Sequence, residues 1–160
     1  MRLVALSETL PTVVDAQLRR DAGLARYEYY VLSMLSESPD RSRLMSQLAI
    51  ATNGSLSRLS HAVSRLESNG WITRRQLESD RRATIATLTD AGMQKVVESA
   101  PGHVEEVRRQ IFDQLSPDQV ERLSSALDPV LSALCVPPVG DVGAECDATG
   151  PESAGCDSPQ

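Results

Sequence analysis

Two helical patterns separated by only three turn-forming residues constrain this chain more than any other feature. Residues 43–51 place Leu44, Leu48 and Ala51 on one face, and residues 55–69 repeat the apolar spacing with Leu56, Leu59, Ala62, Val63 and Leu66. Between them Thr52-Asn53-Gly54 supplies residue types that tolerate the left-handed backbone of a tight reversal. The hydroxyl of Ser55 is placed to cap the second helix and Gly70 to stop it. A short helix, a tight turn and a longer helix have the spacing of a helix-turn-helix. Directly afterwards, residues 71–75 and 83–88 are rich in strand-forming types, with a polar, charged stretch at 76–82 between them. Two strands and a charged loop make a wing.

The flanking segments predict more helix. Leu3, Leu6, Leu10, Val13, Val14 and Leu18 recur at three and four residues, with Pro11 expected to kink this helix or divide its start, and Gly23 to close it. Residues 25–36 form a second helix on Tyr27, Tyr30, Val31, Met34 and Leu35, broken by Ser38-Pro39-Asp40. A long helix runs from Thr89 to about Leu115, with a kink expected at Pro101-Gly102. Ser116-Pro117-Asp118-Gln119 reads as a capping box that launches a last helix on Val120, Leu123, Leu127, Val130, Leu131 and Leu134, in which Pro129 is a second kink point. Aromatic residues make up only 3% of the chain, so the core is built from Leu, Val, Ile and Ala, which suits helix-on-helix packing. The expected fold is mainly α with a small β wing.

The 160 residues carry a net charge of −6, which argues against a generally basic protein that coats nucleic acid or an acidic membrane. The charge is unevenly spread. Residues 54–82 hold six arginines against three carboxylates, whereas residues 136–160 hold five carboxylates and no Lys or Arg. Four prolines and four glycines in that last stretch leave too little apolar surface to offset ordering entropy, so it reads as a disordered acidic tail. Cys135, Cys146 and Cys156 lie at or beyond the last helical pattern with no neighbouring histidine, spaced as reduced thiols rather than as a metal site or disulfide framework. The short apolar run at the N-terminus is interrupted by Ser7 and Glu8, and no run approaches a membrane span, so the expectation is a cytoplasmic protein. No phosphate-binding glycine loop, acid pair or nucleophile elbow occurs, and His61 and His103 are the only histidines. Neither catalysis nor a cofactor or metal is expected.

The second helix of the pair exposes hydroxyl, imidazole and guanidinium groups of the kind that meet base edges and phosphates. Arg58 and His61 are the candidates for base contact, Ser57 and Ser60 for base or phosphate near the helix start, and Arg65 for the backbone one turn on. Any solvated helix face would show polar residues too; the loop ending in Asp80-Arg81-Arg82 tips the balance. There a carboxylate can hold one guanidinium while the other reaches into a narrow minor groove.

Leu66-Glu67-Ser68-Asn69-Gly70-Trp71-Ile72-Thr73-Arg74, then Asp80-Arg81-Arg82, then Leu88-Thr89-Asp90-Ala91-Gly92 resemble the L-E-x-x-G-[LW]-[VI]-x-R, D-x-R and L-T-x-x-G signature of MarR-type winged helix-turn-helix transcription factors. Gln47-Leu48-Ala49 and Leu59-Ser60 also fit, and the resemblance spans residues 3–134. It implies a winged helix-turn-helix lobe at 23–90, an N-terminal dimerisation helix at 1–22, C-terminal dimerisation helices at 91–135 and the tail at 136–160. It further implies a homodimeric, sequence-specific DNA-binding regulator, a repressor in most of the family, on a palindromic operator with half-sites on the order of 34 Å apart. The helix at 55–69 would read the major groove, Arg81 or Arg82 would enter the minor groove, Asp80 would orient an arginine, and Arg74 completes the DNA-binding set. The family's habit of binding small aromatic effectors between dimer helices and lobe makes Tyr27, Tyr30, Met34 and His103 candidates to border a ligand cleft. The cysteines offer oxidant sensing as another route of control. The alternative function is a protein-interaction module that uses the winged helix as a docking surface, which the net acidity keeps open.

Overall fold

The computed structural model describes residues 1–77 and 79–134. The acidic tail and the three cysteines lie outside the described residues.

Helix α1 (Arg2–Ala22) is one continuous helix, ended by Gly23 in the left-handed conformation at φ 67°. Pro11 therefore does not divide it, and Pro101 and Pro129 likewise sit inside unbroken helices α5 (Asp90–Gln110) and α6 (Pro117–Ala133). None of the three prolines is buried, so the carbonyl that each leaves without its amide partner can be met by solvent. Helix α5 stops earlier than the apolar spacing predicts: Phe112–Gln114 form a single 3-10 turn. The capping box then starts α6, with the Gln119 amide donating to Ser116 Oγ at 3.3 Å and the Ser116 amide donating to Gln119 Oε1 at 2.9 Å.

Helix α2 (Arg26–Ser36) leads through a tight turn to a strand that the local pattern does not reveal, β1 (Ser42–Leu44). Helices α3 (Met45–Ala51) and α4 (Leu56–Ser68) follow, then strands β2 (Ile72–Gln76) and β3 (Thr84–Leu88). The sheet has three antiparallel strands in the order β1-β3-β2 rather than the expected two. Arg43 and Leu44 had read as the start of α3, but they pair with Ala86 and Ile85, and Ser42 Oγ lies 2.8 Å from Thr87 Oγ1. Three residues are too few to show the alternation of a strand, and their partner lies over forty positions away.

Leu18, Leu24, Val31, Leu32, Leu35, Leu48, Leu59, Val63, Leu66 and Ile72 are fully buried. They close one core from the C-terminal half of α1, helices α2, α3 and α4, and the sheet. The outer helices contrast with it. Leu3, Val4 and Leu6 on α1, Val97 and Val104 on α5, and Leu123, Val130 and Leu131 on α6 are exposed, and α6 contributes no buried residue. No helix among the described residues is long and apolar enough to cross a membrane.

Candidate nucleic-acid interface

Ser55 caps α4 by accepting the Arg58 amide at 3.2 Å. At about 100° per residue, Ser57, His61 and Ser64 project opposite the buried Leu59 and Leu66, and all three are exposed. Ser60 is exposed on one flank. Arg58 and Arg65 occupy the other flank, which faces α2: the Arg58 guanidinium lies 4.1 Å from the Tyr27 ring centroid, and Arg65 Nε is 3.1 Å from Glu28 Oε1. Tyr27 is itself held, its hydroxyl 2.9 Å from Thr52 Oγ1, which bonds the Leu48 carbonyl at 2.8 Å. Gly54 lies so close that a Cβ there would sit 2.2 Å from the Tyr27 hydroxyl. Turn, α4 and α2 are thus one unit, and two guanidiniums emerge from it with part of their freedom already lost.

Leu56, which the apolar spacing assigns to the core face, is 56% exposed. It is the first residue of α4, and its offset from the Leu59–Leu66 line leaves it on the flank with Ser60 rather than in the core.

In the wing, the Leu77 amide donates to the Ala83 carbonyl at 3.0 Å and the Ala83 amide to the Asp80 carbonyl at 2.9 Å. The Asp80 carboxylate accepts the Arg82 amide at 2.9 Å. Asp80 therefore shapes the backbone of the tip; the sequence reading had set its carboxylate against a guanidinium. A short acceptor two residues before an amide closes a local ring more readily than it orders a long, solvated side chain. Arg75, Arg81 and Arg82 are exposed, and none has an ion-pair partner among the described residues. Arg75 was missed as a candidate; its place in a run of strand residues hid it, though its exposed flank on β2 brings it to the wing.

Arg74 serves the framework. Its Nε donates to Glu67 Oε2 at 2.9 Å and its amide to Glu67 Oε1 at 3.1 Å, which ties β2 to the end of α4. The hydrogen bond from Arg74 holds the Glu67 carboxyl below its ordinary value. Gly70 turns the chain at φ 75°, and its carbonyl accepts the Thr89 hydroxyl at 2.8 Å. That hydroxyl also caps α5 by accepting the Gly92 amide at 3.0 Å. A Cβ on Gly92 would stand 2.1 Å from the Trp71 carbonyl oxygen, so only glycine lets α5 approach the strand. The spacing of these residues is that of a joint between α4, β2 and α5.

The four candidate cleft residues do not share one cavity. Tyr27 stacks under Arg58, the Tyr30 hydroxyl donates to the Ala51 carbonyl at 3.3 Å, and Met34 packs on the core. His103 meets Tyr29, ring centroids 4.7 Å apart, and Tyr29 is turned about 200° from Tyr27 around α2. An open groove of about 480 Å³ runs between α1, the start of α2 and α4; Asp15, Arg19, Arg58, His61, Arg65 and, of the four candidates, Tyr27 are among its walls.

Burial pushes the His103 imidazole below its ordinary value, which favours its neutral form in the fold. The unfolded chain then takes up a proton first as pH falls below about 6.5, and stability declines from there toward the lowered folded value. Replacement by phenylalanine is expected to flatten the fall in melting temperature between about pH 7 and pH 5, measured by thermal denaturation. The loss that comes with protonation of Asp15 and Glu67, whose values are lowered, begins only at more acidic pH and should persist.

The sequence profile of the MarR family matches residues 24–84, which cover α2, β1, the helix-turn-helix, β2 and the wing up to the first residue of β3. The chain is similar to Sco3205, a MarR family transcriptional regulator from Streptomyces coelicolor whose crystal structure is in complex with DNA. Identity is 41%, with 88% of this chain and 90% of that one covered and a TM-score of 0.79. AbsC, a MarR family transcriptional regulator from the same organism, is 36% identical over 84% of this chain and 90% of its own, with a TM-score of 0.77. The HTH-type transcriptional regulator YkoM of Bacillus subtilis (strain 168) is 28% identical over 65% of this chain and 66% of its own length, just under two thirds. With this fold, this joint and two relatives more than 30% identical matched over nine tenths of their length, the chain belongs to the MarR family of winged helix-turn-helix transcriptional regulators.

Proposed function

We propose that two copies of the chain pair through α1, α5 and α6 and bind duplex DNA as a sequence-specific repressor. In this reading α4 of each copy lies in a major groove, and Arg81 or Arg82 enters the flanking minor groove. The observation that carries it is the exposed surface of α4, where Ser57, Arg58, Ser60, His61, Ser64 and Arg65 include no carboxylate and Arg65 pairs with Glu28 of α2, beside a wing with three exposed arginines that have no ion-pair partner among the described residues. In a chain of net charge −6, a concentration of cationic and hydrogen-bonding groups on one face suits phosphates and base edges. It also counts against a docking module for another protein, whose buried centre is usually depleted of charge. DNA as the partner of Sco3205 supports the same reading. A small aromatic effector, as the family often uses, would act from the groove walled by Tyr27, Arg58 and His61, because there it touches α1 and the reading helix together.

Selection from a random duplex pool with the full chain tests the proposal. The expected outcome is an inverted repeat with half-sites on the order of 34 Å apart. Failure to enrich any sequence at moderate salt would overturn it, whereas a reporter that rises when the selected site is occupied would overturn only the repressor assignment.

A further inference from the structure

The exposed leucine at the start of α4 is unexplained by the core and unlike its surroundings. Leu59, Val63 and Leu66 on the same helix are fully buried, yet Leu56 keeps over half of its surface in solvent. Its neighbours Ser55, Ser57 and Arg58 are polar and exposed, so it is not part of an apolar patch on α4 that would seat another protein. It sits on the first residue after the cap, at the end of a reading helix that contacts base edges. The major-groove edges of the four base pairs present hydrogen-bond donors and acceptors, and in addition one apolar group, the 5-methyl of thymine.

We infer that Leu56 is a specificity-determining residue that packs on the 5-methyl group of one thymine in each operator half-site. The inference rests on the DNA-binding reading above and adds to it a base identity at a position where no guanidinium or imidazole need reach. Packing of the leucine on the methyl removes both from water, and cytosine, which lacks that methyl, leaves the leucine facing a polar edge. Burial of one methyl-sized group, worth about 0.8 kcal/mol, corresponds to roughly fourfold in affinity per half-site and to more than tenfold when both half-sites change together.

The test replaces each thymine of the selected operator in turn, in both half-sites, by deoxyuridine. This removes the methyl and keeps every hydrogen-bonding group. Binding is measured for the full chain and for Leu56→Ala, which alters an exposed side chain; the melting temperature checks that the variant folds. One symmetric pair of positions is expected to cost the wild-type chain more than tenfold as deoxyuridine and to cost Leu56→Ala less than twofold. A repeat of the selection with Leu56→Asn should lose the preference for thymine there. Tolerance of deoxyuridine at every position, or a penalty undiminished in Leu56→Ala, would overturn the inference while leaving DNA binding intact. A chain that enriches no operator at all fails at the earlier step, and Leu56 then has no base to read.

Discussion

Replacing Arg81 and Arg82 together by alanine is expected to lower the affinity of the full chain for its selected operator by at least about 100-fold at moderate salt, with no change in melting temperature. The wing is a tight turn closed by bonds between its own backbone groups and the Asp80 carboxylate. Neither arginine side chain has an ion-pair partner among the described residues, so their removal should cost the fold nothing. In the proposed complex the two guanidiniums would face the phosphates of the minor-groove walls and the negative potential between them. Each is worth about 1–3 kcal/mol, and a two-fold complex contains each of them twice. Titration against salt concentration adds a second reading: the double variant should show a shallower slope of log affinity against log salt, because fewer counterions are released. A loss below threefold would show that the wing does not touch DNA.

The second large effect concerns assembly. Leu127→Asp combined with Leu131→Asp is expected to convert a dimer into a monomer in sedimentation, and to lower operator affinity by more than 100-fold although both residues lie on α6, outside the winged helix-turn-helix. Helix α6 buries nothing within its own chain, and Leu123, Val130, Leu131 and Leu134 remain exposed. So do Leu3, Val4 and Leu6 on α1 and Val97 on α5. A stripe of this length on three helices needs an apolar partner. Two carboxylates placed in it would be desolvated without compensation. In the proposed dimer, loss of operator binding would follow because two tethered lobes would engage two half-sites at a high effective concentration, whereas a single lobe would not. A wild-type chain that sediments as a monomer at micromolar concentration would refute the arrangement directly.

Much of the fold could be read in the sequence because its signals are local. The Asn53-Gly54 turn, the Ser55 and Ser116 caps and the stop at Gly70 each act within a few residues, and the structure places every one of them as a boundary. Signals that depend on partners far along the chain were less legible. Strand β1 exists because Ser42, Arg43 and Leu44 meet β3, and nothing in three residues announces that. Prolines 11, 101 and 129 sit inside continuous helices, and sequence does not say whether the freed carbonyl meets solvent. At the interface, the polar face of α4 emerged as periodicity indicates, but three side chains found other work. Arg74 turned to Glu67, Asp80 to a backbone amide, and Leu56 away from the core. Type and spacing fix which face a residue occupies more surely than which neighbour it binds. The same limit explains the dispersed cleft candidates: Tyr27 and His103 are both near α2, but on opposite sides of it.

The joint of Leu66, Glu67, Gly70, Arg74, Thr89 and Gly92 holds α4, β2 and α5 together without using Ser57, Ser60, His61 or Ser64. Those four positions therefore lie outside the architecture of the joint. If the proposed reading holds, duplicated genes of this kind can drift to new promoters by exchanging exposed side chains of α4, Leu56 among them, while the chassis stays untouched, and an engineer can do the same by randomising those positions in a single library.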